Sequence, residues 1–298
     1  VGAELGGEDV MAQALRGRDL AGVVGDEERV AAGPGGCGGG QENGHLHCVG
    51  NRPARGVSAE VAPGVHQVNG FLSESCETVF GMQIDARFNG PPTSGNGGWS
   101  AGCFAVAAGA TLSGPPTQVT LRLPPPLETE LVVTDGRVTA GERLIAEVTA
   151  GTDPGDGVPA VSLAEAGAAS RAYPGFADHP FPTCYVCGPE RPDGLRIFAG
   201  PTGDGRMAAP WSVPAGVTLP TMWAALDCPG GWSALHVGRT YVLGRITATV
   251  SSLPAPGDTC VAVGGAVSVA GRKAVVDSSV YGADGCRLAV ARATWIAV

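Results

Sequence analysis

The chain has 298 residues, a length that suits one large domain or two of roughly 150 residues each. Its 28 Asp and Glu outnumber 19 Lys and Arg, and a formal charge of -9 is the wrong sign for a nucleic-acid binder, whose affinity rests on clustered cations. The longest apolar stretch, around Cys103–Leu112, falls short of the ~20 residues a membrane span requires, and the opening residues read as no secretory signal. The expectation is an acidic cytoplasmic protein with no membrane span and no nucleic-acid partner.

Glycine (48) and proline (24) make up about a quarter of the chain and are spread unevenly. Residues 1–81 hold 18 glycines, including most of the run Gly33–Gly40, and show no sustained hydrophobic period beyond one short helical pattern at Glu8–Leu20. Such a segment buries too little apolar surface to offset its conformational entropy. It is expected to be a disordered or non-native extension, with Met82 as the natural start. The cluster His45-Leu46-His47-Cys48 within it fits no standard zinc spacing and reads as a chance grouping.

From Met82 the chain reads as one plan used twice: a first repeat over 82–160, a connector over 161–183 and a second repeat over 184–298. The turn-rich segment Phe88–Gly98 leads into an Ala-rich apolar run, Trp99–Ala110, that suits a buried helix. Strands are predicted at Gln118–Leu123, Leu127–Thr134 and Arg143–Thr149, and Thr117–Leu123 alternates at period 2 as a half-buried antiparallel strand does. A short helix follows at Leu163–Arg171, then strands at Leu195–Phe198 and Arg206–Trp211. The apolar helix Pro220–Asp227 is expected to kink or end at Pro229, which lacks a helical N–H. Strands at Tyr241–Val250, Thr259–Ala270 and Ala274–Val298, the last with a turn at Gly282–Gly285, close the chain. The fold class is α+β.

Cys184-Tyr185-Val186-Cys187-Gly188-Pro189 followed by Gly194-Leu195-Arg196-Ile197-Phe198 resembles the C-x-V-C-G…G-L-x-x-F opening of PaaI-like hot-dog-fold acyl-CoA thioesterases. The helix Trp223–Asp227 is similar to that family's central helix, which carries H-G-G, six residues and then a catalytic Asp. The resemblance covers roughly 82–298 and implies a double hot-dog of the actinobacterial type. In that arrangement two antiparallel sheets each wrap a central helix, and one chain forms a pseudo-dimer.

Carried over residue by residue, the resemblance is asymmetric. Asn96-Gly97-Gly98 stands at the H-G-G position of the first repeat, with Asn replacing His, but Ala105 stands nine residues on, where the acid belongs. In the second repeat Asp227 is present, but Thr218-Leu219-Pro220 stands in place of the glycines. Nine helical residues rise about 13.5 Å, too far for an acid to serve its own helix N-terminus. The family's helices lie antiparallel, so Asn96, Gly97 and Gly98 with Asp227 would complete one site, and Ala105 with Thr218–Pro220 its inactive twin. Amides at a helix N-terminus suit an oxyanion, and Asp227 suits a general base or nucleophile, its pKa raised by apolar neighbours. Asn96 serves equally as a helix N-cap, and Asp227 also reads as a residue bonded to the Gly230-Gly231 turn. Trp99 and Trp223 are candidate substrate-binding walls or core; His179 is unassigned, and His236 reads as structural.

Nine cysteines, an odd number at scattered spacing, argue against a disulfide scaffold. Cys184-x-x-Cys187 offers half a zinc site, with Cys228 and His179 the only available helpers; the expectation is structural cysteines, with no metal and no cofactor. The function expected is hydrolysis of an acyl-CoA or related acyl thioester, with a homodimer as the expected assembly. The alternative is a non-catalytic double hot-dog that binds acyl-CoA or a lipid; a dehydratase is weaker, since no His–Asp or His–Glu pair stands at the expected positions. Arg191, Arg196, Arg239 and Arg245 are the cations open to CoA phosphates.

Overall fold

A computed structural model describes residues 80–234 and 239–298. All but the last two residues of the expected extension, the His45–Cys48 cluster and His236 lie outside the described residues. Ladder pairing begins at Phe80, so Met82 is the last residue of a strand, β1 (Phe80–Met82).

Helix α1 (Gly97–Ala107) follows, then β2 (Thr117–Leu121), β3 (Leu131–Thr134), β4 (Arg137–Ala140) and β5 (Arg143–Ala150). After α2 (Leu163–Arg171) and the two-residue β6 (Gly200–Pro201) come β7 (Arg206–Ser212), α3 (Leu219–Ala234), β8 (Tyr241–Val250), β9 (Thr259–Ala270), β10 (Lys273–Tyr281) and β11 (Arg287–Ala297). The strands form one sheet, in the order β1-β3-β4-β5-β2-β8-β11-β10-β9-β7-β6. Its neighbours pair antiparallel throughout. Apart from β6, the order β7-β9-β10-β11-β8 mirrors β1-β3-β4-β5-β2 about the central β2–β8 pair.

That central pair corrects the expectation of two separate sheets. The alternating strand β2 has two open edges; β5 takes one and β8 the other, with Thr117–Thr120 opposite Arg245–Ala248. Val119 and Ile246, both fully buried, meet across the seam and fix its register.

Three local expectations also change. Leu195–Phe198 is not a strand: its Leu–x–Ile alternation reflects burial, while Arg196 takes a left-handed φ of 55° and single bonds tie Leu195 and Ile197 to Tyr185 and Val186. The unforeseen β4 arises from Asp135-Gly136, whose φ values of 49° and 71° are those of a two-residue hairpin turn. Helix α3 continues through Pro229 to Ala234 because Pro220–Gly231 is buried almost without a break, and that burial outweighs one missing hydrogen bond. The backbone of Gly264 in β9 lies so close to Pro229 and Gly230 that a Cβ there would collide with them.

Both long helices lie against the sheet and against each other. Gly98 faces Trp223, Ala224 and Asp227, whereas Gly102 faces Pro220 and Trp223. The contacts run in opposite directions along the two helices, so α1 and α3 are antiparallel. Residues Gly98–Ala105 of α1 are all buried, the mark of a helix enclosed on every side.

Candidate active site

Asn96 begins the site. Its backbone N–H donates to the Phe88 carbonyl at 2.7 Å, closing the loop before α1, and its Oδ1 accepts from Trp99 N–H at 2.9 Å as the helix N-cap. Its Nδ2 is thereby aimed away from the helix, donating to Asp227 Oδ2 at 3.1 Å. The same carboxylate oxygen accepts from the Gly98 N–H at 2.9 Å. Gly98 permits this approach because an added Cβ would lie 2.5 Å from Asp227 Cβ and 2.6 Å from the Trp223 carbonyl oxygen. Asn96, Gly98 and Asp227, drawn from two helices far apart in sequence, therefore converge at one helix N-terminus, with Gly97 in the first turn. The Asp227 bonds go to Gly98 and Asn96, not to the Gly230-Gly231 turn.

Asp227 is 2 % exposed, and its other carboxylate oxygen, Oδ1, has no hydrogen-bond partner among the described residues. Burial pushes its pKa from 3.8 up to about 7; the Gly98 and Asn96 hydrogen bonds pull it down, and the nearby Cys184 pushes it further up. A carboxyl that titrates near neutrality, with one oxygen unengaged, can hold or release a proton under physiological conditions.

The opposite helix start is different. At the head of α3 the Thr218 N–H donates to Thr221 Oγ1 at 3.0 Å, and Met222 N–H donates to the Thr218 carbonyl at 3.1 Å. The antiparallel register carries Ala105, fully buried, toward this end of α3. No carboxyl is available from that position.

Trp99 and Trp223 are 1 % and 2 % exposed. Trp99 stacks on Phe88 at 3.8 Å and meets Tyr185 edge-on at 5.4 Å, as part of the core that steadies the start of α1. Arg191 is held by Asn89 Oδ1 at 2.7 Å, by Asp193 and by the Arg87 carbonyl, so it straps the Cys184–Cys187 turn to the loop before α1. Arg196 lies over Phe198, Arg239 donates to Gly271 O and Arg245 to Thr120 Oγ1.

The residues that the sequence sets beside the Cys184-x-x-Cys187 pair, Cys228 and His179, neighbour the site. Cys184, Cys187 and Cys228 are brought together, their sulfurs all within 4.8 Å of one another. Asn96 Nδ2 lies 3.7 Å from Cys184 Sγ, and His179 Nε2 lies 3.3 Å from Cys187 Sγ.

No family model matches the sequence, and none of the curated proteins compared with it matches either. Solved structures do match. The dehydratase domain of PpsC from Mycobacterium tuberculosis, solved with C12:1-CoA, aligns at a TM-score of 0.51 and 16% identity over 78% of this chain and 98% of that one. A protein described as a thioesterase II from Thermobifida fusca aligns at 0.50 and 13% identity, over 79% and 97%. A protein from Alicyclobacillus acidocaldarius, described as having a hot-dog fold, aligns at 0.49 and 13% identity, over 76% and 96%. The chain has a hot-dog fold. In this hot-dog chain no described helix is long and apolar enough to cross a membrane.

Proposed function

We propose that the chain is a double hot-dog in which one polypeptide supplies both halves of the helix pair, and that it hydrolyses an acyl-CoA or related acyl thioester at the Asn96–Gly98–Asp227 site. The mirrored strand order on either side of β2–β8 supports the double reading. The fold of the PpsC domain, solved with C12:1-CoA, supports an acyl thioester as ligand class. The observation that carries the chemistry is the buried Asp227 carboxyl on the Gly98 amide, with its second oxygen unpartnered.

In the proposed reaction the substrate carbonyl takes the Gly98 N–H from Asp227 Oδ2, assisted by Asn96 Nδ2. The freed carboxylate removes a proton from water as the water oxygen bonds to the carbonyl carbon. The resulting oxyanion rests on the amide and the helix dipole. Collapse breaks the C–S bond, and the departing thiolate takes the proton from Asp227. If Asp227 attacks the carbonyl itself, a mixed anhydride forms as the thiolate leaves, and water then attacks the Asp227 carboxyl carbon and expels the product carboxylate. Single-turnover hydrolysis in heavy-oxygen water separates the two routes, since only the second places the label in Asp227.

The test is release of free thiol from a panel of acyl-CoA thioesters by the wild type and Asp227→Asn. The variant keeps size and polarity but accepts no proton, and turnover should fall by ~10²–10⁴, the usual cost of losing a general base. Full activity in Asp227→Asn refutes the composite site. Binding of acyl-CoA without any thiol release by the wild type establishes the other reading, a ligand carrier in which Asp227 only caps α1.

A further inference from the structure

We propose that Cys184, Cys187 and Cys228 bind one zinc ion, with His179 as the outer group that orients Cys187. This departs from the sequence expectation of structural cysteines without metal, and it does not depend on the hydrolase reading. The three side chains come from two separate places. Cys184 and Cys187 lie on a tight turn, in which Cys184 N–H donates to Phe181 O and Gly188 N–H to Cys184 O, each at 2.8 Å. Cys228 lies 41 residues beyond Cys187, inside α3. All three are buried and free, and their sulfurs lie within 4.8 Å of one another. In a tetrahedral site with Zn–S bonds near 2.3 Å, neighbouring sulfurs stand about 3.8 Å apart. Side-chain adjustments of an ångström or less would therefore close this cluster on an ion.

The surroundings are built for thiolates. Phe181 N–H donates to His179 Nδ1 at 2.9 Å, which leaves the proton of a neutral imidazole on Nε2, and Nε2 faces Cys187 Sγ at 3.3 Å. The His179 ring is held between Tyr173 and Trp232. As oriented, Nε2 is therefore a donor to sulfur and not a metal ligand. Asn96 Nδ2 approaches Cys184 Sγ at 3.7 Å from the other side. N–H groups aimed at ligand sulfurs are the outer-sphere partners that set the geometry of metal thiolates. Three thiolates are a soft donor set suited to zinc, and three thiol protons leave as the ion enters. The ion would fasten the turn that carries Cys184 to the helix residue next to Asp227, and so fix the spacing between Asn96 and Asp227.

The experiment uses the full chain, purified under reducing conditions without chelator. Metal analysis should find about one zinc per chain, and X-ray absorption at the zinc edge should find three sulfur neighbours. Cobalt substitution of the wild type should give sulfur-to-cobalt charge-transfer absorption, a readout independent of activity and of any variant. Cys184→Ala and Cys228→Ala should lose the ion, while Cys48→Ala and Cys260→Ala retain it. His179→Ala should still bind zinc, with affinity lowered by ~10–100-fold, as for other outer-sphere partners. The proposal fails if the reduced wild type takes up no zinc or cobalt, if iron or copper occupies the site instead, or if zinc edges show nitrogen and oxygen alone. It also fails if Cys184 and Cys187 are recovered as a disulfide under non-oxidising purification. Zinc loss in His179→Ala as complete as in Cys184→Ala overturns the outer role given to His179.

Discussion

The N-termini of α1 and α3 carry opposite solutions to the same physical problem. Each helix begins with amides that no residue of its own preceding turn satisfies. At α3 the chain answers locally, with Thr221 Oγ1 taking the Thr218 N–H. At α1 it answers partly with Asn96 and partly with a carboxyl imported from the other helix, Asp227 on Gly98. The local answer brings no titratable group to the helix start. The imported one places a buried acid, with pKa near 7 and one oxygen unpartnered, where an anion would be stabilised.

The largest test of this contrast is Gly98→Val. Any Cβ at residue 98 meets Asp227 Cβ at 2.5 Å and the Trp223 carbonyl at 2.6 Å, both on a neighbouring buried helix. Overpacking of this kind costs ~1–3 kcal/mol or more, and here it also drives Asp227 off the amide. Turnover should vanish, and thermal unfolding should shift down by several degrees. A stable, active Gly98→Val protein would show that the two helices do not meet as described.

Asp227→Asn separates stability from activity through pH. Between about pH 4 and pH 7 the native Asp227 keeps a proton that the unfolded chain has released, because its pKa is raised to about 7. Stability contributed by this group is therefore present at low pH and lost as pH rises through 7, a difference on the order of 4 kcal/mol. Asparagine removes that dependence and can still accept from Gly98 through its Oδ1. The variant should thus unfold at a higher temperature than wild type at about pH 8, while hydrolysis collapses. Activity of the wild type should rise with pH around 7, the direction opposite to its stability. Equal pH profiles of unfolding for the two proteins would mean that Asp227 is ionised normally.

Asn96→Ala comes next. It removes the N-cap bond to Trp99, worth ~0.5–2 kcal/mol, and a hydrogen bond that pulls the Asp227 pKa down. The activity midpoint should move to higher pH, and turnover should fall less than in Asp227→Asn because the Gly98 amide remains. An unshifted midpoint would remove Asn96 from the electrostatics of the site.

The pairing of these residues was legible from spacing and family resemblance together. An acid nine residues into a helix cannot reach its own N-terminus, and the antiparallel helices that the resemblance implies bring Asp227 to the start of α1 instead. Hydrophobic pattern could not foresee what packing decides. Leu195 and Ile197 alternate like a strand, yet they bury themselves against the Cys184–Cys187 turn with only isolated bonds. Pro229 reads as a helix end, yet the sheet presses α3 on through it to Ala234. The members of the cysteine cluster were legible, with Cys228 and His179 as the available helpers of Cys184-x-x-Cys187, but their meeting was not, because it depends on the docking of α3, a long-range contact that local sequence does not encode. By contrast, β4 was readable: Asp135-Gly136 is a hairpin signal passed over in favour of longer apolar runs.

The smallest effect is expected at the quiet end of the comparison. Thr221 is 1 % exposed, and its hydroxyl takes the Thr218 N–H at the start of α3. Thr221→Val keeps the shape and leaves that amide without its partner, a loss of roughly 1 kcal/mol. For a folded unit of this size that corresponds to about 2–4 °C in unfolding temperature. Acyl-thioester turnover and its pH midpoint should not change, because the cap of α3 faces Ala105's end of the pair and touches neither Gly98 nor Asp227. If Thr221→Val instead lowers turnover as much as Asn96→Ala does, the α3 N-terminus takes part in substrate binding. The division into one working and one silent helix start would then be wrong.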